Sequence, residues 1–201
     1  MGPSSVMSID NYWYYVVFVD DHSRLKYDFY HILMVFIKLV QTQFSCKIKI
    51  FQSDGVTEFV NYKVRSLFEE NGTLHRLSCS YMPQQNGMVE RKHRHIVETG
   101  LAMLFNTKLP PSFWLDAFSS AVYIINRLPT PILDGKSPFE ILYLQPPNYN
   151  IFRAFGCHAF PYLRDDLEHK LALRRIPCIF IDYSPIYKGY RCLNPITHEF
   201  I

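Results

Sequence analysis

The segment YWYYVVFV at residues 12–19 constrains the fold of this chain more than any other feature. It is a nearly unbroken run of β-branched and aromatic side chains, and such a run predicts a strand that is buried on both faces. A strand of this kind lies in the centre of a sheet that other elements cover. The sequence therefore favours an α/β fold in which helices flank a mixed central sheet.

The next part of the chain predicts an alternation of strands and helices. We expect a returning strand, a short helix, an alternating strand, a polar helix and a further strand, at residues 25–30, 31–44, 47–52, 61–71 and 73–78. The alternating strand, KIKIFQ, leads directly into Ser53 and Asp54. A long helix is expected from about residue 86 to 106, because a core-facing stripe recurs there at helical spacing: Val89, His93, Ile96, Gly100 and Met103.

A second amphipathic helix is predicted within residues 109–129, with Ser112 as its N-cap. Ser137, Pro138 and Glu140 are spaced as the start of a further helix with a capping box. After the linker LQPPNYN the sequence changes to short strands with Gly and Pro, which predicts a domain boundary near Tyr149. We therefore expect an α/β core at residues 1–148 and a small β module at residues 152–201.

Composition limits the class of protein. The 201 residues are 48% hydrophobic and 16% aromatic, enough for one main core and a small second domain. A net charge of +3 permits a polyanionic partner but does not by itself indicate one. Five cysteines without a C-x-x-C pair argue against a disulfide framework or a zinc site. Neither a signal peptide nor an apolar run of membrane-spanning length is present, so an intracellular protein without membrane partners is expected.

Two acids stand where metal-dependent chemistry would need them. Asp54 directly follows a predicted strand, Glu90 lies in the first turn of the long helix, and 35 residues separate them. Carboxylate oxygens are the ligands that Mg²⁺ prefers, and paired ions activate and stabilise oxygens in phosphodiester chemistry. This order of elements and acids is that of an RNase H-like fold. Spacing alone leaves an alternative open, because acids at such positions also serve as caps or solvated residues.

Six motifs occur here in the order typical of one family: YYVVFVDDHSR, SDGVTEF, PQQNGMVERKHRHIVET, FWLDAFSSAVYIINRLPTPILDGKSPFEILY, FGCHAFPY and KGYRCLNPIT. With them the chain resembles the integrases of copia-type LTR retrotransposons over essentially its whole length. The resemblance implies an RNase H-like core followed by an SH3-like β-barrel, and nuclear DNA integration by a homo-oligomer acting on element ends and target DNA. It also implies that Asp54 and Glu90 are the second and third acids of a D,D-35-E site that binds Mg²⁺ or Mn²⁺.

The chain departs from the family pattern in ways that bear on activity. The first acid of the family belongs to a D-x-x-G-P motif, of which Met1-Gly2-Pro3 is the remainder here, so we expect an N-terminally truncated core. Asp20 and Asp21 are expected at a turn away from the site. The family's S-D-x-G-G-E-F is replaced by the segment from Ser53 to Phe59. Strand transfer is therefore expected to be impaired. The alternatives are a non-enzymatic DNA-binding or self-associating protein and a remnant without a selected role.

Basic and polar residues around Glu90 are candidate DNA contacts. Arg94 shares the helix face of Glu90, while the side chains of Gln85 and Asn86 belong to a segment that resembles the family's active-site loop. Arg91 and Lys92 complete the set. The alternative is a solvated face with a Glu90–Arg94 pair four residues apart. In the β module, five further cations are either phosphate contacts or ordinary surface residues: Lys170, Arg174, Arg175, Lys188 and Arg191.

Overall fold

The computed structural model of this protein describes residue 9 and residues 31–53, 62–78, 87–162, 175–184 and 187–201. The predicted strands at residues 12–19 and 25–30 lie outside these ranges. The described residues form two compact units, one within residues 31–94 and the other within residues 95–201. Each unit has its own sheet and its own buried side chains.

Five α-helices are present in the described ranges: α1 His31–Phe44, α2 Tyr62–Asn71, α3 Gly87–Thr107, α4 Trp114–Ile125 and α5 Pro138–Tyr143. The strands are β1 Ile50–Ser53, β2 Leu74–Leu77, β3 His158–Ala159, β4 Cys178–Tyr183 and β5 Tyr190–Leu193. The predicted helices at residues 31–44, 61–71 and 86–106 are confirmed to within one residue. The strand predicted at residues 47–52 is shorter and begins at Ile50.

In the unit within residues 31–94, β1 and β2 pair in parallel, with Ile50 opposite Leu74 and Ser53 opposite Leu77. A parallel pair needs a crossover between its strands, and α2 lies in that connection. The buried apolar side chains of its described residues come from α1 and α2: Leu33, Ile37, Val64 and Phe68. Thr73 fixes the start of β2, because its hydroxyl donates to the Ile48 carbonyl oxygen over 2.9 Å.

In the unit within residues 95–201, α3 packs on α4. Ile96 of α3 is buried together with Ala121 and Ile125 of α4. A Cβ added at Gly100 would overlap the ring of Phe118, and it would lie 3.4 Å from the Phe118 Cα atom. Glycine at position 100 therefore allows the two helices to approach closely.

The same unit holds an antiparallel sheet in the order β3-β4-β5, with a register irregularity between Phe180 and Asp182. Helix α4 packs on β4 through both apolar and polar contacts. The rings of Tyr123 and Tyr183 stack with centroids 3.8 Å apart. The Ser120 hydroxyl lies 2.9 Å from Asp182 Oδ1, and both residues are buried. The sheet is therefore tied to α4 as well as to its own strands.

Two predicted helix starts have different outcomes. Ser137 caps α5 as predicted, because its hydroxyl accepts a hydrogen bond from the Glu140 N–H over 3.0 Å. The prediction for Ser112 is wrong. Ser112 lies inside a 3-10 turn, Pro111–Phe113, and α4 begins after it with Phe113 at the N-cap and no side-chain capping bond. The two consecutive prolines allow a tight turn to supply the helix start instead of a side chain.

The predicted domain boundary near Tyr149 stays a prediction. The compact unit that contains β3, β4 and β5 also contains α4. The two compact units therefore meet in the sequence between residues 94 and 95 and not near Tyr149. Among the described helices, none has the length and apolarity that crossing a bilayer requires.

We predict that Gly100→Ala destabilises the protein by about 1–2 kcal/mol, because the new methyl group overlaps Phe118 in a packed helix contact. Helix propensity alone would change stability in the opposite direction, by about 1 kcal/mol in favour of alanine. Urea denaturation measures the net effect. Gly189→Ala is the matched control, since no atom lies within 4 Å of its added Cβ. A stabilised Gly100→Ala variant would contradict the close α3–α4 contact.

We predict that Asp182 makes stability depend on pH. Burial raises the pKa of its carboxyl from 3.8 to about 6, against hydrogen bonds from Ser119, Tyr183 and Ser120 that lower it. Between these two values the folded chain keeps a proton that the unfolded chain has released. The free energy of unfolding therefore falls as pH rises through about 6, by an amount on the order of 1 kcal/mol between pH 5 and pH 7.

Asp182→Asn should remove this component, because an amide remains neutral and its single oxygen can still accept from the Ser120 hydroxyl and the Tyr183 N–H, as Asp182 Oδ1 does. Urea denaturation at pH 5 and pH 7 measures the difference. Asp134→Asn is the control, since Asp134 is an exposed residue that also carries a single carboxyl. An equal pH dependence in wild type and Asp182→Asn would contradict the assignment.

Candidate nucleic-acid and metal site

Glu90 lies in the first turn of α3, and its side chain is exposed. This position suits a metal ligand, because a carboxylate that water can reach can also be reached by an ion and a phosphate. The other acid, Asp54, directly follows Ser53, the last residue of β1, and lies outside the described residues. Asp20, Asp21, Gln85 and Asn86 lie outside them as well. The predicted proximity of Asp54 and Glu90 therefore stays a prediction.

The exposed face of α3 is charged at its N-terminal end. Glu90, Arg91 and Arg94 are exposed, and His95 and Glu98 continue the same face. Lys92 is half-buried and lies on a different side of the helix. The buried side of α3 is formed by Ile96, Gly100 and Leu104. Helical periodicity thus separates a packing side from a side whose charges face solvent.

Arg91 reaches back to the start of its helix. A Cβ added at Gly87 would lie 3.5 Å from Arg91 Nη1, so the guanidinium lies beside the first residue of α3. This direction is normal in a helix, where side chains lean toward the N-terminus. The guanidinium therefore lies at the N-terminal end of α3.

Glu90 and Arg94 are four residues apart, yet they form no ion pair with each other in the described part of the chain. Arg65 and Glu69 on α2 do form such a pair, at 3.1 Å between Nε and Oε1. The Arg94 guanidinium is thus not committed to Glu90. The Glu90–Arg94 ion pair that the sequence offered as an alternative to DNA contact is therefore not formed. A charged face that simply meets solvent is still an alternative to DNA contact.

The C-terminal end of β1 is held by a polar network that the sequence did not reveal. Ser53 Oγ lies 2.8 Å from His75 Nε2 of β2, and Ser53 is buried. The carbonyl oxygen of Ser53 accepts two hydrogen bonds from Ser78, from its N–H and its hydroxyl, each over 2.9 Å. Only the parallel register of β1 and β2 brings these residues together, so motif spacing gave no signal for them.

The described residues contain no group of three His, Cys, Asp or Glu side chains that could hold a metal ion. Of the two predicted ligands, Glu90 fits Mg²⁺ by donor type and by exposure. A complete set needs ligands from outside the described ranges, with Asp54 as the first candidate.

Arg191 of the β module does not contribute a free surface charge. Its Nη1 donates to Asp116 Oδ1 over 2.7 Å, and the Asp116 side chain is fully buried. The guanidinium also lies over the ring of Phe200, at 4.0 Å from the centroid. Arg175 and Lys188 are exposed, while Lys170 and Arg174 lie outside the described residues. Arg191 therefore connects β5 to α4 through its ion pair with Asp116, and its guanidinium is not a candidate phosphate contact.

Comparisons with known proteins agree with this architecture. A family profile, the Retroviral polymerase SH3-like domain, matches residues 157–201. The chain is 42% identical over 199 residues to the Retrovirus-related Pol polyprotein from transposon RE2 of Arabidopsis thaliana, covering 95% of this chain and 14% of that protein. It is 33% identical over 208 residues to the Retrovirus-related Pol polyprotein from transposon TNT 1-94 of Nicotiana tabacum, covering 100% of this chain and 16% of that protein. The chain thus spans about a seventh of the length of these relatives.

Two solved structures resemble the chain. One is a chain of the simian T-cell lymphotropic virus intasome in complex with PP2A regulatory subunit B56 gamma, with a TM-score of 0.50, 16% identity, and 92% of this chain and 68% of that chain covered. The other is the HTLV-2 integrase catalytic core domain in complex with magnesium in its trimeric form, with a TM-score of 0.47, 18% identity, and 62% and 81% covered. At 16% identity the likeness to the intasome chain concerns the fold alone.

The expected fold class, an RNase H-like integrase core followed by an SH3-like module, is confirmed. The expected resemblance to retrotransposon Pol polyproteins is confirmed by the identity to two plant transposon proteins over almost the whole chain. The chain is therefore similar, over almost its whole length, to a segment of retrovirus-related Pol polyproteins from plant transposons, and its residues 157–201 match the retroviral SH3-like domain.

Proposed function

We propose that this chain is a DNA-binding integrase segment of a copia-type element, and that its family reaction is the metal-dependent joining of element DNA to target DNA. In this reaction the 3′-hydroxyl of a processed element end attacks a target phosphorus, so that a new P–O bond forms while the bond to the target's own 3′-oxygen breaks and that oxygen leaves as a hydroxyl. The partners are the element ends, the target DNA and further copies of the chain, and DNA integration takes place in the nucleus. The observation that carries the proposal is the exposed charged end of α3, where Glu90 lies beside Arg91 and Arg94.

The residues of the proposed site divide into ligands and DNA contacts. Asp54 and Glu90 would hold Mg²⁺ or Mn²⁺, which when bound supplies positive charge to the attacking and leaving oxygens. Arg91 and Arg94 bind phosphate oxygens, which they can approach because both are exposed and neither is paired with Glu90. Lys92, which is half-buried on another side of the helix, adds positive charge near the DNA. Gln85 and Asn86 are polar contacts to the DNA ends.

Phosphate binding by Arg and Lys accounts for most sequence-independent affinity for DNA. The chain's net charge of +3 is small, so binding must come from a local cluster rather than from the whole surface. The N-terminal end of α3 offers such a cluster next to an acid that suits a metal ion. This arrangement favours weak, salt-sensitive DNA binding centred on α3.

We predict that Arg94→Ala weakens the binding of duplex DNA and flattens its salt dependence. Losing one phosphate contact removes about one unit from the slope of log K against log salt concentration. Fluorescence anisotropy with a labelled duplex, repeated over a series of salt concentrations, measures both affinity and slope.

The matched control is Arg65→Ala, which removes the same charge from an exposed arginine on α2 that is paired with Glu69. Both variants lower the net charge equally, so a general charge effect would change both slopes alike. Equal slopes for Arg94→Ala and Arg65→Ala would show that the charged end of α3 is only a solvated face.

We predict that the 201 residues alone give no Mg²⁺-dependent joining of DNA ends above an Asp54→Asn variant. They supply two of the three acids that the resemblance implies, and acids that act as a unit fail as a unit. A longer chain that includes a D-x-x-G-P strand before the described core should join DNA ends, and Glu90→Gln in that chain should abolish the reaction. A gel assay with a labelled element end detects the product.

Two other results would be informative. Robust joining by the 201 residues would overturn the proposed need for a further acid. A longer chain that binds DNA but joins no ends would favour the non-enzymatic alternative. The first substitutions to try in that chain would return Gly55-Val56-Thr57 to the residues of the family's S-D-x-G-G-E-F motif.

A further inference from the structure

Arg153 and Tyr190 form a cation–aromatic pair on the surface of the unit within residues 95–201. Both side chains are exposed, and the central carbon of the Arg153 guanidinium lies 5.4 Å from the centroid of the Tyr190 ring. A guanidinium within about 6 Å of an aromatic ring is attracted to the face of that ring. The two groups therefore form one surface feature, the Arg153–Tyr190 pair.

Hydrogen bonds to one short segment hold both members of the pair in place. Arg153 Nη1 donates to the carbonyl oxygens of Asn150 and Phe152, each over 2.7 Å. The Tyr190 hydroxyl donates to the carbonyl oxygen of Ile151 over 2.9 Å. Side chains that are already fixed lose little conformational entropy when a ligand binds to them. The pair is thus preorganised.

The charge around the pair suits an anionic ligand. Among the described residues, hydrogen bonds from the Arg153 guanidinium use Nη1, which leaves the N–H groups of Nε and Nη2 for a ligand. Lys188 is exposed two residues before Tyr190. The described stretches at residues 143–162 and 187–198, which contain the pair, hold no Asp or Glu. A phosphate would therefore meet positive charge here without a neighbouring acid from these stretches.

Exposed aromatic rings accompany this charge. The Tyr190 ring packs edge-on against buried Phe180, with centroids 5.5 Å apart, yet 38% of the residue is exposed. Tyr149, in the turn that precedes Arg153, is 49% exposed, and Tyr187, in the connection between β4 and β5, is 76% exposed. Aromatic rings that alternate with cations bind the bases and phosphates of single strands.

We propose that the Arg153–Tyr190 pair is a stacking site for a base of single-stranded nucleic acid, and that Arg153 and Lys188 bind the adjacent phosphates. Unpaired bases stack on aromatic rings and on guanidinium planes, whereas in a duplex the base faces cover one another. The site uses none of the residues that the proposed function assigns to DNA contact, so it goes beyond that function. The structural alternative is that the pair only fastens residues 150–152 to β5.

Fluorescence anisotropy with the 201-residue chain compares two labelled strands of about 12 nucleotides, one of thymidines and one of abasic units. The two strands carry equal numbers of phosphates, so electrostatic attraction alone gives equal affinities. We expect the thymidine strand to bind about tenfold more tightly, because its bases stack. An unlabelled uridine strand should compete with the thymidine strand to within about threefold, since stacking does not need the 2′-hydroxyl.

Three variants assign this preference for bases to the pair. Arg153→Lys keeps the positive charge but lacks the planar guanidinium, and Tyr190→Leu removes the ring. Each should reduce the tenfold preference for the thymidine strand to about threefold or less. Tyr190→Phe is the matched control, because it keeps the ring and removes the hydroxyl that bonds to Ile151. It should retain the preference.

Urea denaturation checks that each variant is folded. Arg153→Lys decides the matter if Tyr190→Leu fails to fold, because Arg153 is an exposed residue. Equal affinity of the wild-type chain for the thymidine and abasic strands would overturn the proposal, because it would show attraction to phosphates alone. An unchanged preference in folded Arg153→Lys, or failure of the uridine strand to compete, would overturn it as well.

Arg94→Ala separates this proposal from the DNA contacts of α3. It removes a phosphate contact, so it should weaken the binding of the thymidine and abasic strands by the same factor and leave the preference for bases intact. If Arg94→Ala does not affect duplex binding while Arg153→Lys removes the preference, the α3 contacts are wrong and the stacking site stands. The reverse pair of results overturns the stacking site and leaves the α3 contacts in place.

Discussion

The parallel register of β1 and β2 is the constraint on which the hydrogen bonds of Ser53 with His75 and Ser78 depend. Ser53 lies opposite Leu77, and Ser78 bonds to the Ser53 carbonyl, so the chain leaves both strands at the same end of the pair. Active sites of α/β folds form at the carboxyl ends of strands, because parallel connections bring successive loops to that edge. A shift of one residue in this pairing would turn the Ser53 side chain to the opposite face and break its bond to His75.

In the unit within residues 95–201, buried polar contacts join α4 to the sheet. Arg191 of β5 is paired with Asp116, and Ser120 is bonded to Asp182 of β4. A buried ion pair adds little to the free energy of unfolding, because both charges lose their hydration when they are buried. Removing only one of the two partners destabilises the fold strongly, because the other charge is left buried and unpaired. The family profile begins at residue 157, whereas these contacts reach back to α4. The SH3-like strands are thus built to pack on the helix that precedes them.

Helix α3 combines packing and charge along one element. Gly100 lets it approach Phe118 of α4, and its opposite side exposes Glu90, Arg91 and Arg94. The proximity of an acid and two guanidinium groups suits a site where a metal ion and phosphates are bound together, since the cation needs carboxylate oxygens and the phosphates need positive charge. This is why the proposed function assigns both its metal ligand and its phosphate contacts to the same end of α3.

The sequence by itself determined the described helices apart from the start of α4, the strands β1 and β2, and the resemblance to retrotransposon Pol polyproteins, because hydrophobic periodicity and local motifs are properties of neighbouring residues. It also determined that Ser137 caps α5. Only the tertiary structure decided that Ser53 meets His75, that Asp116 pairs with Arg191 and that Asp182 is buried beside Ser120. These partners are distant in sequence, and hydrophobic periodicity does not predict contacts between polar side chains. Only strand register and helix packing bring them together. Ser112 shows the same limit at short range, since a 3-10 turn replaced the cap that its residue type predicted.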